Sequence, residues 1–356
     1  MEYFEVFLLA IVFFIGRGEM PILLIQFLIC SGLIVLCGVN LSRYGDAIAE
    51  KTGLGRAWIG LILMSGVTSL PELITGISSV AFAGAPDIAV GDVMGSCVFN
   101  LSLIALMDIL HGPQPIFSRA EHSHNLSAGF GVILIGFATL SIAAAGGMPL
   151  IGRVSLATLI IIGIYALAMR SVFLFQKRQV AQHIGEIASD RLYGHISTRE
   201  ASARYALNAL VIVGAATWLP FLGDRLAEET GLGRSFVGSI LIALTTSLPE
   251  LVVSISALRI GAADMAIANL LGSNLFNMLI LAIDDLAYPD GPLFNAVSQN
   301  HAVTGTIAVI MSGIMVVSLM YRLEKKTALR IGWDALAMIL AYMVNIVLLY
   351  RMRAQG

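Results

Sequence analysis

Charge is scarce in this chain, and that scarcity excludes more than any motif does. Only 12% of the 356 residues are Asp, Glu, Lys or Arg, against 58% hydrophobic residues, and the mean hydropathy is +0.87. A soluble globular domain carries about 25% charged residues, so a water-soluble fold is excluded. The formal net charge of -2 provides no basic face for a polyanion, and nothing reads as a nucleic-acid motif. Cysteine is also rare. Cys30 and Cys37 lie seven apart on one apolar segment and Cys97 lies on another, a spacing that gives neither a disulfide framework nor a zinc site. HExxH, GxSxG and a GxGD-type aspartate are all missing, and no intramembrane histidine stands beside a plausible nucleophile, which argues against an enzyme. The N-terminal run Tyr3 to Ile15 has Glu2 and Glu5 instead of a basic region, so it is a poor signal peptide. At about thirteen residues it is short for a span, and it is expected to be an interfacial or partly inserted helix, with a short extra span as the alternative.

Long apolar runs are what the chain has. Ten are long enough to cross a bilayer at about 1.5 Å per residue: roughly 21–41, 57–82, 87–110, 125–145, 150–174, 205–222, 235–259, 264–287, 302–321 and 332–350. The expected fold class is an all-α polytopic membrane protein.

Two of these runs contain residues that do not belong in lipid. In Leu244 to Asn277, Pro249, Glu250, several hydroxyls and two asparagines interrupt the apolar pattern. An intramembrane carboxylate costs at least ~3 kcal/mol on insertion scales and is a functional candidate by default. Pro249 frees carbonyls one turn earlier, which is tolerated where the backbone lines a cavity. Thr246 and Ser247 lie on the helix face of Glu250, and Ser273 shares a face with Asn277. Hydroxyl, amide and carboxylate oxygens form a hard ligand set suited to calcium, sodium or magnesium.

The same stretch occurs earlier in the chain. GDAIAEKTGLGRAWIGLILMSGVTSLPELITGIS from Gly45 matches GDRLAEETGLGRSFVGSILIALTTSLPELVVSIS from Gly223. Thr68, Ser69, Pro71 and Glu72 map onto Thr246, Ser247, Pro249 and Glu250 at a constant offset of 178, and GSCVFN (Gly95 to Asn100) maps onto GSNLFN (Gly272 to Asn277) at 177. Two copies with matching flanks over roughly sixty residues indicate an internal duplication.

The paired TSLPE and GSxxFN blocks resemble the alpha-repeats of the cation/calcium exchanger superfamily, the sodium/calcium exchangers and their prokaryotic relatives. The resemblance implies an inverted-repeat antiporter with a calcium site between the repeats. Its metal ligands, by motif position, would be Thr68, Ser69, Glu72, Ser96 and Asn100 with Thr246, Ser247, Glu250, Ser273 and Asn277. This chain departs from the family where Val67 and Thr245 replace a glycine, where Cys97 replaces an asparagine, and where Asn100 and Asn277 stand at a position that commonly holds Asp in one repeat. Asp92, whose counterpart is Asn269, reads either as a replacement third carboxylate or as a helix-start residue. Na⁺/Ca²⁺ exchange at a midplane site is the expected function. H⁺-coupled exchange of Ca²⁺ or another divalent ion is the alternative, and a passive cation channel the weaker competitor. No permanently bound cofactor is expected; the partners are the lipid bilayer and inorganic cations, with the oligomeric state open.

Organisation follows from counting. With ten spans, the loops after odd-numbered spans collect fifteen of the twenty-one Lys and Arg residues, which makes that side cytoplasmic. Five spans separate equivalent points, so the repeats run antiparallel. The expected divisions are a short N-terminal segment (1–20), a first five-span repeat (21–175), a cytoplasmic linker (176–204) and a second repeat (205–356), in a bacterial or archaeal plasma membrane. The linker carries no EF-hand pattern. Asp108 and Asp285, Asp46 and Asp224 read as structural residues at helix ends. His122 and His124 form a loop HxH, expected to be solvated.

Overall fold

The offset of 178 reappears in the helix boundaries. In the computed structural model, residues 20–52, 65–112, 114–118, 120–121, 123–144, 148–151, 154–182, 197–259, 261–322, 326 and 331–353 are described. Helix α1 (Met20–Thr52) and helix α7 (Thr198–Thr230) are both 33 residues long and begin and end 178 residues apart. The broken helix of the first motif, α2 (Ser65–Thr68) followed by α3 (Leu70–Ala81), is matched by α8 (Arg234–Thr246) and α9 (Leu248–Arg259). Helix α4 (Pro86–Leu110) pairs in the same way with α10 (Ala263–Ala287), offset by 177. Then α5 (Ser123–Ala143) and α6 (Leu156–Gln182) correspond to α11 (Asn300–Tyr321) and α12 (Trp333–Met352).

Eight helices among the described residues are long and apolar enough to span a membrane, and α8 with α9, bent by 43° at Ser247, form a ninth. The tenth expected span, 57–82, is described only from residue 65. The N-terminal run 3–15 lies outside the described residues. The run expected from residue 150 opens with a two-stranded hairpin, β1 (Leu150–Ile151) and β2 (Val154–Ser155), so its helix starts at Leu156. Helices α6 and α7 also reach beyond their apolar runs, into both ends of the polar 176–204 segment.

Burial sorts the helices by role. In α4 and α10, 78% of the most apolar window is buried inside the protein, against 22% in α1, α6 and α12. The first two are central, and the last three present large apolar side chains outward, such as Leu28, Leu36 and Val347, as lipid requires. Close crossing at the centre depends on small residues. A Cβ on Gly91 would lie 3.0 Å from the Gly238 Cα, and one on Gly95 would fall on the Ser239 carbonyl. Gly238 and Ser239 belong to a π-helical turn, Val237–Ile242, inside α8. Such turns re-aim a helix and recur at functional sites.

Candidate functional site

The helix break sets the site. Ser69 (φ -87°, ψ 13°) and Ser247 (φ -90°, ψ 5°) leave helical geometry between the two halves of each motif. Pro71 and Pro249 then fall in the first turn of α3 and α9, where a missing N–H does no harm. The next residue in each copy is the glutamate. Glu72 and Glu250 therefore stand at helix N-termini, where the peptide dipoles favour a negative charge.

Both glutamates are completely buried, and each is held by the other repeat. Ser69 Oγ donates to Glu250 Oε1 at 3.1 Å, and Ser247 Oγ donates to Glu72 Oε1 at 2.9 Å. Around this crossed pair, Ser247 Oγ also meets Ser96 Oγ at 2.8 Å, and Ser273 Oγ reaches Glu250 Oε1 at 3.4 Å. Thr68 Oγ1 lies 3.5 Å from Ser273 Oγ, and Thr246 Oγ1 donates to Asp92 Oδ1 at 2.8 Å. Asn100 Nδ2 donates to Asn274 Oδ1 at 3.0 Å. The structure thus brings ten of the eleven candidates, Thr68, Ser69, Glu72, Asp92, Ser96, Thr246, Ser247, Glu250, Ser273 and (through Asn274) Asn100, into one hydrogen-bonded network. The eleventh, Asn277, is held 3.9 Å from Cys97 Sγ by its amide nitrogen.

Unused acceptors give this network its chemistry. Glu72 Oε2, Glu250 Oε2, Asp92 Oδ2, Asn100 Oδ1 and Asn277 Oδ1 are buried oxygens without a hydrogen-bond partner. A buried carboxylate oxygen left unpaired is expensive, and five of them on four adjacent helices make a site short of positive charge. Asp92 lies six residues into α4, fully buried, which removes its reading as a helix-start residue at the membrane face.

Comparison with known proteins matches this architecture. The model of the sodium/calcium exchanger protein family covers residues 22–176 and 203–351, one match for each half of the duplication. This chain belongs to that family. An inner membrane protein of Escherichia coli K12, YrbG, is 28% identical over 80% of this chain and 86% of its own length. The sodium/calcium exchanger MaX1 of Methanosarcina acetivorans is 30% identical over a shorter stretch, 40% of this chain and 38% of the relative. Among solved structures, the sodium-calcium exchanger NCX_Mj soaked with Na⁺ and Sr²⁺ superposes with a TM-score of 0.60 at 20% identity, covering 91% of this chain and 97% of that one. The H⁺/Ca²⁺ exchanger CAX gives 0.66 at 12% identity, covering 98% and 89%. At these identities the structures establish the shared fold.

Two sets of residues position the helices of this exchanger-family fold, and both are duplicated. Asp108 accepts from the Ile116 and Gly332 amides at 2.8 and 3.0 Å, and its counterpart Asp285 accepts from Leu293 N at 2.6 Å, from Ser155 N at 3.4 Å and from the Thr158 hydroxyl. Their expected structural role holds, but their partners are protein groups: Asp108 is 0% and Asp285 2% exposed. Asp224 pairs with Arg234, again a structural contact, while the Asp46 side chain and His122 lie outside what is described.

The second set corrects the solvated reading of His124. This residue is 4% exposed and its Nε2 is 2.9 Å from Asp264 Oδ1. The counterpart pair, His301 Nε2 with Asp87 Oδ1, has the same 2.9 Å separation. Backbone amides complete the symmetry, Glu121 N on Asp264 at 2.8 Å and Ser298 N on Asp87 at 2.7 Å. Each aspartate starts a motif helix of one repeat, and each histidine starts a helix of the other. A buried carboxylate at the N-terminus of α4 or α10 binds an imidazole better than water does, which draws His124 out of solvent. Asn274 was also hidden: it stands where Cys97 stands in the first repeat, and its amide ties Cys97 O to Asn100.

Proposed function

We propose that the protein is a cation antiporter that exchanges Na⁺ for Ca²⁺ by alternating access, with the ion held between Glu72 and Glu250. The crossed Ser69–Glu250 and Ser247–Glu72 hydrogen bonds carry this reading, because they put the acid of each repeat within reach of the other repeat's hydroxyl. Two glutamates supply two negative charges, enough for one divalent or two monovalent ions. The unpartnered oxygens of Glu72, Glu250, Asp92, Asn100 and Asn277 and the hydroxyls of Thr68, Ser69, Ser96, Thr246, Ser247 and Ser273 complete a hard oxygen set, where calcium takes about six to eight ligands. MaX1, described as a sodium/calcium exchanger, supports the same ions. The reading places the 176–204 linker in the cytoplasm and the chain in a prokaryotic plasma membrane, with repeats of 21–175 and 205–356.

One observation favours proton coupling as the second reading. Asn100 and Asn277 contribute no charge, so the site has less negative charge for several sodium ions, and desolvation of a carboxylate favours its protonated form. The deciding experiment is Ca²⁺ flux into proteoliposomes at fixed pH with only the Na⁺ gradient varied. Flux that follows sodium supports the first reading. Flux that ignores sodium and follows an imposed pH gradient replaces it with H⁺/Ca²⁺ exchange, and flux that needs no ion on the opposite side makes the protein a channel.

A further inference from the structure

Helices α4 and α10 are repeat counterparts, yet their carboxylates do not match. Asp92 corresponds to Asn269, and Asp284 corresponds to Met107. In the second repeat Asn269 Nδ2 donates to Ser254 Oγ at 3.2 Å, a neutral tie between α10 and α9. The counterpart of Ser254 is Gly76 on α3, which has no side chain to answer Asp92. Asp284 fills that gap: a Cβ placed on Gly76 would lie 2.5 to 2.8 Å from its carboxylate atoms. Its carboxylate is completely buried, and neither oxygen has a hydrogen-bond partner. Asp92, equally buried, also leaves Oδ2 unpartnered, and the two acids interact electrostatically.

Two unpaired carboxylates in a membrane interior are not a packing solution. Hydrogen bonds or a cation must satisfy them, and the protein supplies no such bond to either Asp284 oxygen. Gly76 lies one turn beyond Glu72, so this place is displaced by about 6 Å along α3 from the glutamate pair. We propose that Asp284 and Asp92 form a second cation position, on the α3–α4 turn side of the glutamates, that takes a sodium ion. This rests on the Na⁺/Ca²⁺ reading of the central site. Three free carboxylate oxygens, Asp92 Oδ2 and both of Asp284, suit a monovalent ion; they fall well short of the about six to eight oxygens calcium takes. The pathway is then anionic on one side of the glutamates and neutral on the other, where Asn269 and Ser254 satisfy each other. Sodium would load from the Asp284 side.

The test is equilibrium ²²Na⁺ binding to the purified full chain without Ca²⁺ at fixed pH, with ⁴⁵Ca²⁺ binding measured in parallel. Asp284→Asn keeps the shape, and Asp284→Met installs the residue that the first repeat carries there, so a folding failure of one leaves the other. Both are expected to bind one sodium fewer per chain than wild type, with ⁴⁵Ca²⁺ affinity within about twofold as the sign of an intact centre. An unchanged sodium count in either folded variant overturns the proposal. So does a wild type whose count is unchanged but which takes up a proton that Asp284→Asn does not, since the two acids then share a proton. A wild type that binds sodium but no ⁴⁵Ca²⁺ sinks the central reading instead, and the sodium count still decides this site.

Discussion

Replacing Glu72 by Gln tests the central site at one atom. The substitution keeps an oxygen that Ser247 Oγ, now at 2.9 Å from Oε1, can still donate to. It converts the unpartnered Oε2 into an NH₂ group and removes one of the two glutamate charges. Opposite unit charges about 4 Å apart attract by about 4 kcal/mol at an effective dielectric near 20. A divalent ion feels more, and the neutral side chain recovers part of the difference through its smaller desolvation penalty. A net loss of about 4 kcal/mol raises the Ca²⁺ Kd roughly a thousandfold. Ser247→Ala removes only a hydrogen bond to a charged group, about 1.5–3 kcal/mol or roughly ten- to a hundredfold. The expected order in ⁴⁵Ca²⁺ uptake by proteoliposomes is therefore wild type, then Ser247→Ala, then Glu72→Gln near background, with Glu250→Gln equal to Glu72→Gln. Exchange by Glu72→Gln within a few-fold of wild type, or a Ser247→Ala defect larger than the glutamate's, would refute the placement of the ion.

Two further outcomes follow from the residues around the site. His301→Ala leaves Asp87 without its imidazole and should lower stability by about 1–3 kcal/mol, read as a lower Tm in detergent; in the Asp87→Ala background the same substitution should cost much less, and equal losses in both backgrounds would show that the pair is not coupled. Cys97, completely buried beside Asn277, should be reached by small thiol reagents only through an open pathway, so they should inhibit transport by wild type and spare Cys97→Ala; inhibition that persists in that variant would assign the effect to Cys30 or Cys37.

What could be read before the fold was known, and what could not, divides along a physical line. Helical spacing puts Thr246, Ser247 and Glu250 on one face, and the repeated Pro break marks where that face matters, so the site residues are visible as exceptions to an apolar pattern. Spacing says nothing about which helix lies opposite. That Ser69 serves Glu250 and not Glu72 is a property of the antiparallel packing. The π-helical turn at Val237–Ile242 has no composition signal, because it arises where α8 yields to the α4 backbone at Gly238. The histidine pairs did leave a trace: His124 and His301 are 177 residues apart, as are Asp87 and Asp264, and two titratable types preserved at one offset are more telling than the loop HxH that masked them. Asp284 was concealed by its neighbour, since Asp285 accounts for a helix-end acid and leaves the doublet looking redundant.

Alternating access requires two states of similar energy, and the duplicated contacts provide a physical basis for that balance. The pairs Asp87–His301 and Asp264–His124 join equivalent helix starts with equal 2.9 Å separations. In an inverted repeat those starts lie on opposite faces of the membrane. Weakening one pair while its counterpart holds exchanges like for like, so opening either face breaks the same kind of bond. The same holds for the crossed serine–glutamate contacts at the centre. Energy differences between the two states must then come from positions where the repeats disagree, and the buried ones near the site are few: Gly76 against Ser254, Asp92 against Asn269, Cys97 against Asn274 and Met107 against Asp284. Two of these four add a carboxylate, and both carboxylates fall on the α3–α4 turn side of the glutamates. Direction in an otherwise symmetric machine is thereby assigned to charge.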